Sequence, residues 1–187
     1  AKRVKKGGPP QYQDDTRAEA YKHVKDFDIA IDVGANVGLW AKHLVEKFNR
    51  VIAFEPLEQV YSCLELNCEN LPVELNKHAL GSTNDKVTMT YDSENTGGSF
   101  VKEVGQGTID IKTLDSLNLP KFGLLKIDCE GHELEVVKGG KDTILKYNPI
   151  IIVEQHPESK YQAADYLREL GAVSLGNVRK DYIFGWK

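Results

Sequence analysis

The sequence predicts an α/β fold: a mostly parallel sheet with helices on both faces and an antiparallel edge at its C-terminal end. Three observations support this prediction. Strand-like apolar runs alternate with helix-length segments from residue 28 to residue 170, a pattern that implies βαβ crossovers. A glycine-containing turn directly follows the first strand. The last two runs are adjacent strands, and adjacent strands joined by a short turn pair antiparallel.

The first strand and its turn give the strongest functional signal, the sequence IAIDVGANVG at residues 29–38. The apolar residues at its start suit a strand that is buried on both faces. Gly34, Ala35 and Gly38 mark a tight turn at which the backbone approaches a ligand, and helical periodicity follows over residues 37–48. A strand, turn and helix in this order present a nucleotide-like ligand to the start of a helix.

The acidic residues around this turn predict the kind of nucleotide. Glu55, at the end of a second strand, follows Gly34 by about 20 residues, the spacing at which a carboxylate accepts hydrogen bonds from ribose hydroxyls. Asn36 stands where dinucleotide-binding enzymes have their middle glycine. Asp32 suits a cationic sulfonium better than an anionic diphosphate. We therefore predict S-adenosylmethionine as the cofactor, with a nicotinamide-dependent oxidoreductase as the alternative.

The other predicted elements continue the alternation and add an insertion. A short helix is predicted at residues 15–24, and it could lie over the opening of the cofactor site. Runs that alternate apolar and polar residues predict β-hairpin material in the middle of the chain, and residues 93–100 form either an acceptor-contacting loop or a plain hairpin turn. In chain order, the further predicted elements are a strand at 51–54, a helix at 58–70, strands at 73–78, 87–91, 100–104, 108–111 and 124–130, two helices separated at Gly139 and Gly140, a strand at 149–153, a helix at 161–170, and strands at 173–175 and 182–186.

A second functional signal is the strand LLKIDCE at residues 124–130, because buried strands rarely carry three ionisable residues. Strand alternation places Lys126, Asp128 and Glu130 on one face. The two carboxylates stand where the strand ends, and in open α/β sheets the ligand crevice lies beyond the carboxyl ends of the strands. We expect both to face the site. The alternative is an internal ion pair in which Lys126 neutralises a carboxylate.

A third polar group follows the strand at residues 149–153, where Glu154 and His156 are found. His156 is a candidate general base near neutral pH, and His132 is a second candidate beside Asp128. Each histidine could instead be a hydrogen-bonded structural residue.

The composition is that of an ordinary globular domain. The net charge of -4 and the pI near 5.8 give no one-sided basic field, so we expect no nucleic-acid partner. The three cysteines lack C-x-x-C spacing, which argues against a disulfide framework or a thiolate zinc site. No apolar run reaches the length of a membrane span and no secretory signal is present, so we expect a cytoplasmic protein without a membrane span.

The N-terminal region differs from the rest of the chain. Residues 1–12 combine four Lys and Arg residues with a Gly-Gly-Pro-Pro break, a composition that buries too little apolar surface to order itself. This tail could hold an anionic acceptor or a membrane headgroup, or it is a solvated terminus. We predict that residues 1–27 form the tail and a short helix, and that residues 28–187 form one domain.

Six stretches follow one another in an order that is far more specific than a single glycine turn. They are DVGANVG from Asp32, AFEP from Ala53, HALG from His78, TLDSL from Thr113, LLKIDCEGHELEVVKGG from Leu124 and IIVEQH from Ile151. Together they resemble the FkbM-type family of S-adenosylmethionine-dependent methyltransferases. The resemblance implies a Rossmann-like class I methyltransferase domain with a seven-stranded sheet. It also implies O-methyl transfer to a hydroxyl group, commonly of a sugar, glycan or secondary metabolite.

Carried over by position, the resemblance also implies the cofactor contacts. The methionine end would be held by residues 32–37, the ribose by Glu55, and the adenine edge by the backbone of Ala79 and Leu80. The full predicted cofactor set is Asp32, Gly34, Ala35, Asn36, Val37, Glu55, Pro56, Ala79, Leu80 and Asp128. The family does not fix the acceptor, a small molecule or carbohydrate, and the two ends of the chain are where its choice could reside.

Methyl transfer to a hydroxyl requires that the hydroxyl proton leaves. We predict Asp128 or Glu130 as the proton acceptor, with Lys126 fixing the carboxylates and His156 as the alternative base. A divalent metal held by Asp128, Glu130 and a histidine could orient the hydroxyl instead. No tightly spaced ligand motif supports a metal, so none is predicted. A non-catalytic adenosine-binding module is the other alternative.

Overall fold

The computed structural model describes residues 12–90, 99–155 and 161–187 of the chain. The helices in these residues are α1 (Asp14–Tyr21), α2 (Leu39–Leu44), α3 (Glu58–Cys68), α4 (Glu133–Gly139), α5 (Lys141–Tyr147) and α6 (Gln162–Glu169). The strands are β1 (Ile29–Val33), β2 (Arg50–Phe54), β3 (Val73–Asn76), β4 (Ala79–Leu80), β5 (Asp85–Met89), β6 (Val101–Val104), β7 (Ile109–Lys112), β8 (Leu124–Ile127), β9 (Ile150–Glu154), β10 (Val173–Val178) and β11 (Asp181–Gly185). A short 3-10 turn, Leu114–Leu117, precedes β8.

Seven strands form the main sheet, in the order β10-β11-β9-β8-β1-β2-β3. The strands from β9 to β3 run parallel, whereas β11 runs antiparallel to both β9 and β10. The predicted α/β sheet, mostly parallel with an antiparallel C-terminal edge, is therefore confirmed. β1 lies between β2 and β8, at the point where the strand order reverses and where open α/β sheets bind their ligands.

The predicted insertion forms a second, four-stranded sheet in the order β4-β7-β5-β6. β5 pairs antiparallel with β6 and β7, and β4 pairs parallel with β7. Ala79, Val87 and Ile111 form a small core of its own. Because β4 follows β3 after only two residues, this sheet begins beside the carboxyl end of the main sheet.

Apolar layers cover both faces of the main sheet. Ile29, Ile31 and Val33 of β1 belong to one layer, with apolar residues of α4, α5 and α6. Ala30 belongs to the other layer, with apolar residues of α1, α2 and α3. Burial on both faces explains why the central strands read as nearly continuous apolar runs.

Several predicted strands end earlier in the structure. The strand expected at 124–130 ends at Ile127, because Glu130 has a φ of 50°, and this left-handed backbone is incompatible with a strand. The strand expected at 73–78 ends at Asn76. Helices that could cross a membrane were not found in the described part of the chain.

Candidate active site

A cavity of about 320 Å³ lies beyond the carboxyl ends of β1, β2 and β8, and its volume is within the range of small-molecule sites. The second sheet contributes to its wall through Met89 and Val101. Most of the residues predicted to bind the cofactor line this cavity: Gly34, Ala35, Asn36, Val37, Glu55, Pro56, Ala79, Leu80 and Asp128. The sequence therefore locates the cavity correctly, while the role of each residue stays a prediction.

Gly34 allows the turn after β1 to pack against the end of β8. Its φ is +75°, and a Cβ at this position would lie 1.9 Å from the backbone oxygen of Asp128. The N–H groups of Gly34 and Ala35 both donate to the carbonyl of Phe54, at 3.1 and 3.0 Å. A side chain at position 34 would meet both backbone strain and a clash. The glycine thus brings the turn and Asp128 together.

Glu55 is held by backbone donors on two sides. Its Oε2 accepts the N–H of Asn36 at 3.0 Å, and its Oε1 accepts the N–H of Leu57 at 3.0 Å. The side chain is 6% exposed and lines the cavity. Burial raises the pKa of Glu55, although the two N–H donors oppose that change. Each carboxylate oxygen has further acceptor capacity, so this group can also receive hydrogen bonds from ligand hydroxyls.

Lys126 lines the cavity and forms ion pairs with two carboxylates. Its Nζ lies 3.3 Å from Asp32 Oδ1 and 3.4 Å from Asp128 Oδ2, and it donates to the Gly34 carbonyl at 3.2 Å. Burial alone would lower the pKa of Lys126, but Asp128 and Asp32 outweigh it and raise that pKa. The ammonium is also 5.8 Å from the ring centroid of Trp40. The ion pair considered from the sequence is therefore present.

Asp32 lies behind the cavity rather than in its lining. It is fully buried, burial raises the pKa of its carboxyl group, and its charge is directed at Lys126. Asp32 is not among the residues that line the cavity, and its contact with the cofactor stays a prediction.

Three carboxylates converge where β8 and β9 end. Asp128, Glu130 and Glu154 are partly buried, and one oxygen from each lies within 4.8 Å of the others. Asp128 and Glu130 line the cavity. Such a group can accept protons or hydroxyl hydrogen bonds, and its oxygens are also of the type that Mg²⁺ and Ca²⁺ accept.

The turn after β8 is fixed by Glu133, which the sequence interpretation did not single out. Its Oε1 accepts the N–H groups of Cys129 and Gly131, at 2.9 and 3.0 Å, and the residue is 1% exposed. These bonds hold the backbone on both sides of Glu130. A glutamate three residues after Glu130, at the start of a helix, is the sequence signal that could have identified it.

The histidines near the cavity are buried or partly buried. His78 and His132 both line it, and Nε2 of each lacks a hydrogen-bond partner among the described residues. Burial lowers the pKa of His78 to about 4 and also lowers that of His132. Both rings are therefore uncharged at neutral pH. His156, the predicted alternative base, lies outside the described residues.

Several other residues of the cavity carry no local signal in the sequence. They come from the segment before α1 (Tyr12), from α2 (Trp40), from the second sheet (Met89 and Val101) and from the loop before β6 (Ser99). Only the packing of these separate segments brings them together. Ser99 belongs to the loop at 93–100 that was considered for acceptor contacts; residues 93–98 lie outside the described part of the chain.

A family model described as "Methyltransferase FkbM domain" matches residues 32–174. Among curated proteins, the chain is 30% identical over 142 residues to the hexuronic acid methyltransferase AglP of Haloferax volcanii, covering 72% of this chain and 59% of AglP. It is 24% identical over 149 residues to methyltransferase 1 of Beauveria bassiana, covering 63% of this chain and 60% of that protein. The chain thus spans about 60% of the length of these curated relatives.

Solved structures agree with this match at the level of the fold. The FkbM methyltransferase of Methylobacillus flagellatus superposes with a TM-score of 0.59 at 17% identity, covering 87% of this chain and 44% of that one. A Streptococcus mutans protein solved in complex with SAH superposes with a TM-score of 0.56 at 11% identity, covering 91% and 95% of the two chains.

Proposed function

Because this chain belongs to the FkbM methyltransferase family, we propose that it transfers a methyl group from S-adenosylmethionine to a hydroxyl oxygen of a sugar, glycan or secondary metabolite. The observation that carries this proposal is the position of Glu55. This buried carboxylate lines a cavity at the reversal point of the sheet and accepts the N–H of Asn36, two residues after the glycine that packs on Asp128.

The cavity residues fit an adenosine cofactor. Glu55 can accept hydrogen bonds from both ribose hydroxyls, while the backbone of Ala79 and Leu80 lines the cavity where the adenine edge would lie. Gly34 lets the turn pack directly on the Asp128 backbone, where a Cβ would clash, and both residues line the cavity. The residues present are therefore suited to the nucleoside and to the methionine part of S-adenosylmethionine.

The charge of the lining supports a cationic ligand. Among the described lining residues, Glu55, Asp128 and Glu130 carry carboxylates and Lys126 carries the one ammonium group. His78 and His132 are neutral at neutral pH because burial lowers the pKa of both. A net negative lining attracts a sulfonium and repels a diphosphate, so these residues add to the charge argument made for Asp32 from the sequence.

The chemistry of the transfer assigns a task to the carboxylates. S-adenosylmethionine supplies, when bound, an electrophilic methyl group whose bond to sulfur breaks as the bond to the acceptor oxygen forms, leaving the electron pair on sulfur. Asp128 or Glu130 takes the hydroxyl proton. Lys126 keeps Asp128 in place by its ion pair.

A carbohydrate acceptor is supported by the relative AglP, whose name specifies hexuronic acid. The converging carboxylates also suit a polyhydroxylated acceptor, because each accepts hydroxyl hydrogen bonds. We therefore place sugars first among the acceptor classes to be tested.

Calorimetric titration is the first test of this function. We expect the protein to bind S-adenosylmethionine and S-adenosylhomocysteine but not NAD. The Glu55→Gln variant should bind both roughly tenfold or more weakly because a charged acceptor is lost. The matched control is Glu58→Gln, which changes an exposed glutamate of α3 outside the cavity. Binding of NAD instead would overturn the proposal.

Release of S-adenosylhomocysteine with a panel of hydroxylated sugars and glycans is the second test. We expect acceptor-dependent release above the rate measured without acceptor. Binding of the cofactor with no release across the panel would favour a non-catalytic adenosine-binding module.

A further inference from the structure

A residue outside the family match reaches the cavity. Tyr12 lines it together with Trp40, Asp128 and Glu130, although the match to the family model begins at residue 32. Its side chain is 40% exposed, so the phenol ring is partly covered and partly accessible.

The backbone of this segment is held against the wall of the cavity. The Arg17 guanidinium donates to the Tyr12 carbonyl and lies 5.3 Å from the ring centroid of Trp40. Trp40 donates its indole N–H to the Gln13 side chain. Arg17 and Trp40 are 5% and 3% exposed. The position of Tyr12 is therefore fixed by its backbone and by the buried side chains of Arg17 and Trp40, and not by contacts of the phenol ring.

The helix that follows is anchored to the C-terminal strands. Thr16 Oγ1 donates to the buried Asp181 carboxylate at 2.8 Å, and Arg179 pairs with Asp15 at 2.7 Å. Asp181 and Arg179 also lie outside the family match. The two ends of the described chain thus act together to hold Tyr12 in the cavity.

The phenol stands on the side of the cavity where the carboxylates converge. Asp128 and Glu154 both contribute, after burial, to the raised pKa of Tyr12. An aromatic face beside hydroxyl-accepting carboxylates matches a pyranose ring, which has an apolar C–H face and hydroxyl groups at its edge.

We propose that Tyr12 is a specificity-determining residue for a carbohydrate acceptor, whose pyranose ring stacks on the phenol while a hydroxyl is directed to Asp128 and Glu130. This inference rests on the proposed function, because it assigns the acceptor side of the same cavity. The ring face provides the contact, so phenylalanine should replace Tyr12 and leucine should not.

Saturation-transfer difference NMR tests this inference without turnover. The protein is loaded with S-adenosylhomocysteine and mixed with methyl β-D-glucuronide or methyl β-D-glucoside. We expect the axial C–H protons of at least one glycoside to receive the strongest saturation. Tyr12→Phe should keep this signal, and Tyr12→Leu should weaken glycoside binding roughly tenfold with the affinity for S-adenosylhomocysteine unchanged.

The matched control is Tyr61→Leu, the same change at a tyrosine of α3 that does not line the cavity. Equal glycoside affinity of Tyr12→Leu and the wild-type protein would overturn the inference, as would equal losses in Tyr12→Leu and Tyr61→Leu. Failure of both glycosides to bind a protein that does bind S-adenosylhomocysteine also overturns it, and leaves the proposed cofactor intact. Failure to bind S-adenosylhomocysteine rejects the proposed function itself.

Discussion

At the scale of single residues, Lys126 compensates the charges of two carboxylates at the cavity. The residue is 4% exposed, and its ammonium group forms ion pairs with the fully buried Asp32 and the cavity-lining Asp128. Removal of one member of such a buried ion pair destabilises the protein, because the remaining charge has neither its partner nor water around it.

We expect Lys126→Met to lower the free energy of unfolding by about 3–5 kcal/mol, since Asp32 would remain as an uncompensated buried carboxylate. Urea denaturation at pH 7 measures this change. The double variant Lys126→Met/Asp32→Asn should recover part of the loss, because the stranded charge is then removed. Lys121→Met, at an exposed lysine paired with Asp26, is the control. A loss below about 1 kcal/mol in Lys126→Met would contradict this assignment.

Asp128 and Glu130 are tested by two isosteric variants. If one of them takes the acceptor proton, Asp128→Asn or Glu130→Gln should lower kcat by about 100-fold or more. Cofactor affinity is measured alongside, because Asp128 is also a predicted cofactor residue. Glu135→Gln, at a carboxylate bonded to Ser82 and Lys138, should keep the wild-type rate.

Full methylation rates in both variants would reject the proton-acceptor assignment. Dialysis against EDTA separates it from a metal-dependent reaction. We expect the rate to persist after dialysis, whereas loss of activity that Mg²⁺ restores would show that the carboxylates act as metal ligands.

At the scale of secondary structure elements, the contact between the β1 turn and the end of β8 depends on Gly34. We expect Gly34→Ala to destabilise the protein by at least about 2 kcal/mol, because positive φ and a clash with the Asp128 backbone act together. Thermal and urea denaturation measure the loss. The cofactor should also bind more weakly, since the turn must move.

Gly171→Ala is a matched control for this prediction. Gly171 also has a positive φ, +97°, but a Cβ there would meet nothing within 4 Å. Only backbone strain of about 1–2 kcal/mol is then expected. Equal losses in the two variants would mean that the close approach to Asp128 is unimportant.

Elements with a strong local pattern could be predicted from the sequence, and those that depend on packing could not. The apolar runs gave β1, β2, β8 and β9, and Gly139 with Gly140 separated α4 from α5 as expected. The end of β8 was missed because the left-handed Glu130 is stabilised by Glu133 across the turn. Tyr12 was missed as a cavity residue because α1 is placed by contacts with Asp181, more than 160 residues away.

At the scale of the whole molecule, the cavity is formed by the ends of the main-sheet strands together with segments outside that sheet. The carboxyl ends of β1, β2 and β8 supply the side where the cofactor is proposed to lie, while the second sheet and the residues before α1 close the rest. This division explains why the sequence could predict the part of the cavity lining that belongs to the strand ends and left the acceptor open.

The pH dependence of stability is also a property of the whole molecule, and the buried His78 makes a predictable contribution to it. The side chain is 8% exposed, and burial, followed by Lys112, lowers its pKa to about 4 in the folded protein. In the unfolded chain the imidazole has a pKa near 6.5. Between these values protons bind the unfolded state preferentially, so the contribution of His78 to stability is complete above about pH 6.5 and is lost as the pH falls toward 4.

We expect this histidine to contribute on the order of 2 kcal/mol to the loss between pH 6.5 and 4. His78→Asn should therefore flatten the plot of unfolding free energy against pH, even if its stability at pH 7 is lower. Urea denaturation at a series of pH values measures the slope. The control Val60→Ala destabilises the protein at a buried apolar residue of α3 and changes no titratable group, so its slope should match that of the wild-type protein. An unchanged slope in His78→Asn would show that acid sensitivity arises elsewhere, with His132 the next residue to test because burial lowers its pKa in the same direction.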